Sequence, residues 1–499
     1  MNTTHSFTSF LLPFLLAGCS TVLWKPGDDN GNRDTGSEAG PAPTDTGEEP
    51  PGEDPPGEPD TGGPDDPPSE AAEVCDTLFP EPVGTRFYVD PIGGSDDNDG
   101  SRANPWASLQ LVVDEYVDCV DRDGIALHGS APIQGGDTIV LLGDTGHETS
   151  LTIKGCFNDD YVSIVADTHH APTLSNLRLK GGSYWHFEGL NFHSNSGGQM
   201  VKLETHGTRG EVHHVRIHDN RFTSGELASA SEYTEMASDG VRLSQVDDVL
   251  VSCNQMRNVA NAVVAAGDRI DVLYNKVNFF SKDALVNSGS FNRYIGNRVT
   301  NAVKGADGHH DDFFQSHKGA GLDDATEIEI SYNIFMNLYP DDQVEGTIGP
   351  TQCIGAFEDG NKTKWRVFNN VCKGDHYHGI TLKDTSDSII INNTVVGGGD
   401  LPGVPFSEPD RTWINVSGSG NILRNNLSTN VLSDGDHNLI VTVDNLDDIF
   451  VDWAGGDLRL RPDGIAVDVG ATDEAPLDDL EGTARDGMPD LGAYEVQTP

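Results

Sequence analysis

The chain has 499 residues and carries 80 acidic against 31 basic residues, a formal net charge of −49. This charge excludes a general nucleic-acid-binding role, because too few cations are available to neutralise many phosphates. The 57 glycines and 27 prolines predict a turn-rich and mostly β chain, and the mean hydropathy of −0.41 excludes a protein with many membrane spans.

Residues 1–19 form a short apolar segment that ends in a cysteine. The apolar run of about eight residues is too short for a bilayer, which needs roughly 20. Its end, Leu16-Ala17-Gly18-Cys19, resembles the lipobox of bacterial lipoproteins, in which the cysteine is lipidated and becomes the mature N-terminus. The preceding n-region departs from the pattern, since it has His5 but no Lys or Arg. The resemblance implies export and a lipid anchor at Cys19 in the cell envelope, at the outer membrane or cell surface; an ordinary secretory signal is the alternative.

An acidic, proline-rich stretch follows this signal. Between residues 26 and 73 there are 15 acidic residues, one arginine and no aromatic residue. Such a stretch cannot bury enough apolar area to offset the entropy lost on ordering, and its like charges repel each other. We therefore predict that residues 20–74 are a disordered tether. The rest of the chain keeps −35 of the total charge of −49, so the folded part is acidic too.

Six cysteines follow the tether. An exported protein can form disulfides, and six cysteines allow 15 pairings. Their spacings select none of these pairings, and the absence of a CxxC pair argues against a cysteine zinc site. The cysteines are Cys75, Cys119, Cys156, Cys253, Cys353 and Cys372.

A short phrase recurs through the middle of the chain, first at steps of 22 residues and then at steps of 29, 40 and 26. It combines a polar residue, a small residue and alternating apolar positions, and begins at Asp239, Asn261, Asp283, Asp312, Gln352 and His378. A second column contains Asn220, Asn254, Asn275, Asn297, Asn333, Asn370 and Asn393. A unit this short cannot bury its apolar face alone, so successive units must stack as parallel strands about 4.8 Å apart, with buried asparagines linking the coils. The repeat predicts an all-β fold: a single-stranded right-handed parallel β-helix over residues 75–446, closed by residues 447–499.

Both ends of this region resemble pectate-lyase-like β-helix proteins. The opening resemblance lies in residues 87–101 and in Asn104-Pro-Trp-Ala-Ser-Leu109; the closing one lies in residues 450–452, 457–462 and 490–495. The resemblance implies the β-helix fold over roughly residues 87–495. It is weak for chemistry, because this superfamily includes polysaccharide lyases, epimerases, hydrolases and non-catalytic binders.

The densest polar stretch is residues 307–318, followed two coils later by residues 374–383. His310-x-Asp312 with Gln315, then Gln352 and His378 in one column, resembles a subset of bacterial β-helix proteins that act on uronate polysaccharides. This resemblance gives a location for the site but assigns no role to a single residue.

Strand alternation then sorts the side chains around this location. With Phe314, Ile354 and Ile380 inward, it predicts that Gln315, His317, Thr381 and Lys383 face solvent, that Arg242 lies in the column of Gln315, and that His317, Phe357 and Lys383 share another column. Together these residues would form a cationic and aromatic patch. Asp312, Gln352 and His378 have inward parity or lie at the bend where the strand begins, where they could form only a hydrogen-bonded polar stack.

Chemistry at a uronate requires the removal of a proton alpha to a carboxylate, which needs a positioned base and a group that neutralises the carboxylate. We expect His317 or Lys383 to be the base, Arg242 and Gln315 to hold the carboxylate, and Tyr377 to donate to the leaving oxygen. The other catalytic candidates are His310, Asp312 and His378, and the other substrate-binding candidates are Gln352, Phe357 and His376. A solvated surface ridge is the alternative interpretation of the same residues.

Two other functions stay open. The first is a non-catalytic carbohydrate-binding or adhesive module. The second is a glycoside hydrolase, because Asp311-Asp312 resembles the paired aspartates of polygalacturonase-type enzymes. The upstream aspartate, the Gly-His-Gly and the Arg-x-Lys of that family are not recognisable in this chain.

Ca²⁺ is a candidate cofactor, although no cofactor is required by the sequence. Residues 95–100 resemble the first half of an EF-hand loop, but Trp106 stands at position 12, where a glutamate is needed. Asp323-Asp324 and Asp341-Asp342 could hold Ca²⁺ near a polyanionic substrate, which the acidic surface would otherwise repel. We expect a monomer whose partner is a polysaccharide, with no nucleic acid partner and membrane contact only through the N-terminal lipid.

Overall fold

The computed structural model describes residues 74–79, 83–146, 150–306, 311–317, 324–338, 349–358, 360–398, 412–431 and 433–497. Cys19, the predicted tether up to residue 73 and the candidate His310 lie outside these ranges. In the ranges that are described, no helix is long and apolar enough to cross a membrane.

The chain winds through three parallel walls, which we call the first, second and third wall in the order in which each coil visits them. One coil contributes Leu285–Ser288, Arg293–Ile295 and Arg298–Ala302 to the three walls in turn. Leu285 pairs with Val263 of the coil before and with Phe314 of the coil after, all in parallel. This register confirms the predicted parallel β-helix, and crossovers between parallel strands of one sheet are right-handed.

Each wall is a stack of parallel strands from successive coils. The first wall contains Gln199–Glu204, Leu285–Ser288, Asp311–Ser316, Thr351–Ala356, His378–Leu382, Trp413–Val416 and Asn430–Val431. The second contains Arg86–Val89, Thr138–Leu141, Val212–His218, Arg293–Ile295, Glu329–Ser331, Arg366–Phe368, Ile389–Ile391 and Ile422–Arg424. Four long strands turn the corner between these two walls: Ser150–Ala166, Asn176–Glu188, Asp239–Ser252 and Val263–Leu273.

The third wall is a separate 11-stranded sheet. Its strands are Thr173–Leu174, Asn191–His193, Arg221–Thr223, Gln255–Val259, Lys276–Phe280, Arg298–Ala302, Ile334–Met336, Val371–Gly374, Thr394–Gly397, Leu427–Ser428 and Leu439–Ile440. The remaining strands are Asp324–Thr326, Asn361–Thr363 and Thr385–Ser386 in one short sheet, and the antiparallel pair Phe450–Asp452 and Asp457–Leu460. The α-helices are Leu109–Glu115, Ala230–Met236 and Leu446–Ile449, and Val443–Asn445 is a 3-10 helix.

Buried asparagines connect the coils at the turn between the second and third walls. The side-chain nitrogen of Asn254 donates to Oδ1 of Asn275 (2.9 Å), and that of Asn275 donates to Oδ1 of Asn297 (3.0 Å). All seven predicted asparagines take part, and the ladder continues through Asn426 and Asn438. The ladder satisfies buried backbone groups at a turn where the wall hydrogen bonds stop.

Two further features hold the stack together. The disulfides are Cys75–Cys253, Cys119–Cys156 and Cys353–Cys372, a pairing that the sequence could not select. The closing segment packs on the outside of the third wall, where Leu446, Ile449 and Phe450 cover Val371 and Val396. The last coils of that wall are therefore apolar on both faces.

Candidate functional site

The strands of the first wall begin at a corner where two successive residues point into the core. Phe313 and Phe314 are both fully buried in the same apolar core. Simple alternation therefore fails at this corner, and Asp312 lies on the same outer side as Gln315. Asp312 therefore lies at the bend, the second of the two placements considered from the sequence, and it is fully buried there.

The same contact between residues i and i+3 recurs along the wall. The Arg242 guanidinium lies 2.8 Å from Oδ2 of Asp239, and Nδ1 of His378 lies 2.9 Å from the Thr381 hydroxyl. The residues that begin the repeated phrase thus line one edge of the outer face. We call this set the polar column: Asp239, Asn261, Asp283, Asp312, Gln352 and His378.

Gln315 joins the polar column to His317. When its amide is assigned so that the nitrogen faces the neighbouring acceptors, Gln315 donates to Oδ2 of Asp312 and to Oδ2 of Asp283, both at 3.1 Å, and the same nitrogen lies 3.2 Å from Nε2 of His317. The same Asp283 oxygen lies 3.4 Å from Nε2 of His317. The hydrogen bond to Asp283 raises the pKa of His317, against the opposing effect of burial. The arrangement is a histidine oriented by a carboxylate, which is a common way to prepare a general base.

An aromatic cluster lies on the next two coils. The ring of His378 contacts Phe357 at 4.8 Å and Trp413 at 5.2 Å, and Tyr377 contacts Trp413 at 4.6 Å between ring centroids. The register shifts between His378 and Ile380, and this irregularity turns the His378 ring outward. A Cβ on the intervening Gly379 would lie 2.7 Å from the Trp413 carbonyl oxygen, so the bulge requires glycine.

The register places His317, Phe357 and Lys383 in one column, whereas Gln315 and Thr381, which we expected to face solvent, are buried, at 8% and 6% exposed. Gln315 pairs with Gly355 and Gly355 with Thr381, and the Lys383 amide continues this ladder by donating to the Ala356 carbonyl (2.9 Å). The spacing between coils puts His317 and Lys383 about 10 Å apart with Phe357 between them. These three side chains face one strip of surface.

Arg242 lies outside this strip. The pairings run from Arg242 through Val264 and Val286 to Gln315, which is three coils or about 14 Å. Arg242 is also ion-paired to Asp239. It therefore cannot hold the same carboxylate as Gln315, and it leaves the expected patch less cationic.

The remaining candidates, Gln352 and His376, are both buried. Gln352 is 5% exposed, and its Oε1 has no hydrogen-bond partner among the described residues. His376 is buried against Tyr377, with ring centroids 4.0 Å apart. Sequence reasoning missed Asp283 as the partner of His317, although Asp283 begins one of the repeated phrases, and it missed Trp413.

The predicted calcium loop is held by its own backbone. Oδ1 of Asp96 accepts from the amides of Ala107 (3.1 Å) and Ser108 (2.9 Å), and Oδ1 of Asp99 accepts from Ser101 (3.0 Å). Within the part of the chain that the structure covers, no group of three or more His, Cys, Asp or Glu is arranged for a metal ion. Asp323, Asp341 and Asp342 fall outside that part.

No protein-family model matches the chain, and no curated protein matches its sequence. Among solved structures it is similar to a pectate lyase, with 17% identity, a TM-score of 0.41 and coverage of 83% of this chain and 97% of that one. A rhamnogalacturonan lyase shows 15% identity, a TM-score of 0.37 and coverage of 72% and 86%. A mannuronic-acid-specific polysaccharide family 6 lyase from human gut microbiota shows 13% identity and a TM-score of 0.35, with coverage of 72% of this chain and 84% of that one. The strand register establishes that the chain is a parallel β-helix protein, and the handedness of crossovers between parallel strands makes the coil right-handed.

Proposed function

We propose that this protein acts on a uronate-containing polysaccharide by removing the proton alpha to the uronate carboxylate. The observation that supports the proposal is the contact of His317 with Asp283 on an outer strip that also presents Phe357 and Lys383. With Nε2 of His317 donating to Asp283, the lone pair of Nδ1 would be the base. Asp283 would stabilise the imidazolium that forms.

The strip also suggests how the sugar would bind. A pyranose ring can lie on the Phe357 ring, since the C–H face of a sugar packs well on an aromatic side chain. The flexible Lys383 chain can then reach the carboxylate and neutralise it. Gln315 is occupied by Asp283 and Asp312, so its role is to position Asp283 rather than to bind the substrate.

The chemistry after proton removal has two outcomes. In β-elimination, the electron pair of the broken C–H bond forms a C=C bond while the C–O bond to the neighbouring sugar breaks, and Tyr377 protonates the leaving oxygen. In epimerisation, the carbanion is reprotonated from the opposite face. Both outcomes need the same base and the same neutralised carboxylate.

The hydrolase alternative finds less support in the geometry. Asp311 is 2% exposed and Asp312 is fully buried. A glycosidase needs two carboxyl groups that reach opposite sides of the scissile bond. The binding-module alternative is favoured by one observation, the ring cluster of Tyr377, His378 and Trp413, which could hold sugar without catalysis.

We further propose that the protein is exported and anchored through a lipid at Cys19. Three disulfides support an oxidising compartment, because such bonds persist mainly outside the cytosol. Metabolic labelling with a fatty acid, compared between the wild type and Cys19→Ala, tests the anchor. Equal labelling of both proteins would contradict it.

The function is tested on polygalacturonate, alginate and a glycosaminoglycan. Elimination produces an unsaturated uronate that absorbs in the ultraviolet, and proton removal in either reaction exchanges the substrate hydrogen for deuterium in D₂O, which NMR detects. We expect His317→Ala to lower the rate at least about 100-fold, the usual contribution of a general base, and Lys383→Ala to lower it as well. Lys364→Ala, which changes an exposed lysine directly after the short strand Asn361–Thr363, is the matched control.

Each outcome separates the alternatives. New reducing ends without ultraviolet absorbance would indicate hydrolysis. Binding without product and without deuterium exchange would indicate a binding module. Unchanged turnover in both His317→Ala and Lys383→Ala would show that the site lies elsewhere.

A further inference from the structure

One glycine of the first wall lies in the middle of the candidate site. Gly355 belongs to the strand Thr351–Ala356, and it pairs with Gln315 of the coil before and with Thr381 of the coil after. The neighbouring members of this outward column carry side chains: Val286, Gln315, Thr381 and Asn415. A glycine inside a strand weakens the strand, and it often marks a place where another group approaches the backbone closely.

The group that approaches Gly355 is the ring of Phe357. A Cβ at position 355 would lie 2.5 Å from Cε2 of this ring, 3.2 Å from Cζ and 3.3 Å from Cδ2, and these are its three nearest atoms. The ring therefore occupies the space that a side chain at position 355 would fill. It also reaches the next coil, where its centroid lies 4.8 Å from that of the His378 ring.

The backbone conformation does not explain this glycine. Gly355 is not among the residues with a positive φ, so an L-residue could adopt its conformation. Gly100 and Gly296 also lie against aromatic rings, but their φ values of +75° and +67° favour glycine in any case. At Gly355 the nearest atoms belong to a side-chain ring that can move. The absence of a side chain there therefore serves the position of the ring rather than the conformation of the strand.

The ring lies beside two polar side chains of the same column that the protein itself holds in place. Gln315 and Thr381 are both buried, whereas Phe357 is half-buried. The Thr381 hydroxyl lies 2.9 Å from Nδ1 of His378 and accepts a hydrogen bond from Nε1 of Trp413 at 3.2 Å. Of the side chains of Gln315, Phe357 and Thr381, the ring is therefore the one that a ligand can contact most readily.

We propose that Gly355 is a positioning residue for the substrate, because it lets the Phe357 ring lie against the first wall as the floor on which one pyranose residue packs through its C–H face. This inference rests on the proposed action on a polysaccharide and adds how the sugar is held. A side chain at position 355 would lift the ring from the wall. The sugar would then lose its floor, while the contact of His317 with Asp283 would stay in place.

The change should therefore affect binding rather than proton removal. An aromatic contact that is equally strong in the ground state and the transition state raises KM when it is lost and leaves kcat unchanged. We expect Gly355→Ala to raise KM about tenfold, the scale of one aromatic contact. The acid limb of the pH–rate profile should stay where it is, because it reports the pKa of His317.

The test is a double-mutant cycle between Gly355 and Phe357. Gly355→Ala, Phe357→Ala and the double variant are made in a full-length His317→Ala parent, so that a bound glycan is not consumed. Calorimetry measures the binding of polygalacturonate, alginate and chondroitin sulfate. Gly355→Ala should weaken binding about tenfold when Phe357 is present and change it by less than about twofold when Phe357 is absent. Gly129→Ala is the matched control, since a Cβ at position 129 meets no atom within 4 Å, and it should bind as the parent does.

A second measurement follows the ring without any ligand. The ring current of Phe357 shifts the resonances of the His378 ring protons, which NMR of selectively labelled histidine detects. Gly355→Ala and Phe357→Ala should both move these resonances, and Gly129→Ala should leave them unchanged. Thermal unfolding should show that Gly355→Ala is folded, because a side-chain ring is all that has to move.

Three results would overturn the inference. They are equal binding by Gly355→Ala and its parent, a further loss when Gly355→Ala is added to Phe357→Ala, and unchanged His378 resonances in Gly355→Ala. If no protein of the set binds any of the glycans although the His378 resonances of Gly355→Ala are shifted, the proposed function is overturned, while the control of the ring position by Gly355 is upheld.

Discussion

Replacing Asn275 by alanine should open the coil stack in the middle of the asparagine ladder. Asn275 is fully buried. Its Oδ1 accepts from the backbone N (3.0 Å) and side-chain Nδ2 (2.9 Å) of Asn254, and its Nδ2 donates to the Val251 carbonyl (2.9 Å) and to Oδ1 of Asn297 (3.0 Å). Alanine removes all four hydrogen bonds at a site that water cannot reach.

The expected loss in the free energy of unfolding depends on which hydrogen bonds the neighbouring residues keep. Nδ2 of Asn254 still donates to Ile217, and Oδ1 of Asn297 still accepts from the backbone N at position 275. The backbone N–H of Asn254 loses its acceptor entirely. A buried donor left unsatisfied costs about 1–3 kcal/mol and each weaker loss about 0.5–1 kcal/mol, so we expect about 3 kcal/mol in total.

The assay has to detect local opening, because a solenoid can lose one coil without unfolding as a whole. Hydrogen exchange at the amide of Asn254 reports that opening, and urea unfolding reports the global effect. Asn361→Ala is the control, since Asn361 is exposed and its side chain donates to the carboxylate of Asp324, so it should cost less than about 0.5 kcal/mol. The reasoning fails if Asn275→Ala is no worse than the control, or if the Asn254 amide stays protected.

Three further predictions concern the site, the core and the third wall. Asp283→Asn should lower the pKa of His317, so the acid limb of the pH–rate profile should move to lower pH. The His317–Asp283 pair stabilises the fold below about pH 6.5, and this contribution is lost as the pH rises through the raised pKa of His317. The variant should lack this pH dependence in unfolding curves. Replacing Cys353 and Cys372 together by alanine should cost about 3 kcal/mol in urea unfolding, because the bond closes a loop of 19 residues. Val371→Lys should lower the melting temperature strongly, since it buries a lysine under the closing segment, whereas Gln255→Lys in the open part of the same column should leave it unchanged.

Most of the fold could be predicted from the repeat in the sequence. The spacing of 22 residues between Asp239 and Asn261 reappears as parallel pairing of Val241 with Val263, and the asparagine column reappears as a hydrogen-bonded ladder. These features could be predicted because each of them places similar residues directly above one another in successive coils. A period in the sequence translates directly into that geometry.

The disulfide pairing could not be predicted from the sequence, because it depends on which walls of the β-helix face each other. Cys353 starts from the first wall and Cys372 from the third, and both are buried in the interior between them. The facing of His378 was missed for a related reason. Alternation assumes a regular strand, but the chain turns a corner at each repeated phrase, and a bulge at Gly379 adds one more residue.

The outward column of the third wall left a signal in the sequence that the repeat alone does not explain. It consists of the residue that follows each ladder asparagine: Arg221 after Asn220, Gln255 after Asn254, Lys276 after Asn275 and Arg298 after Asn297. The ladder fixes this position on the outer face in every coil, so the chemical nature of the residue is free to vary with what lies outside. It is polar or basic through Arg298 and apolar at Ile334, Val371 and Leu427, where the closing segment packs, and at Thr394 the hydroxyl accepts a hydrogen bond from the Ala493 amide of that segment. The position of the closing segment could therefore be predicted from the coil at which this column changes from basic to apolar.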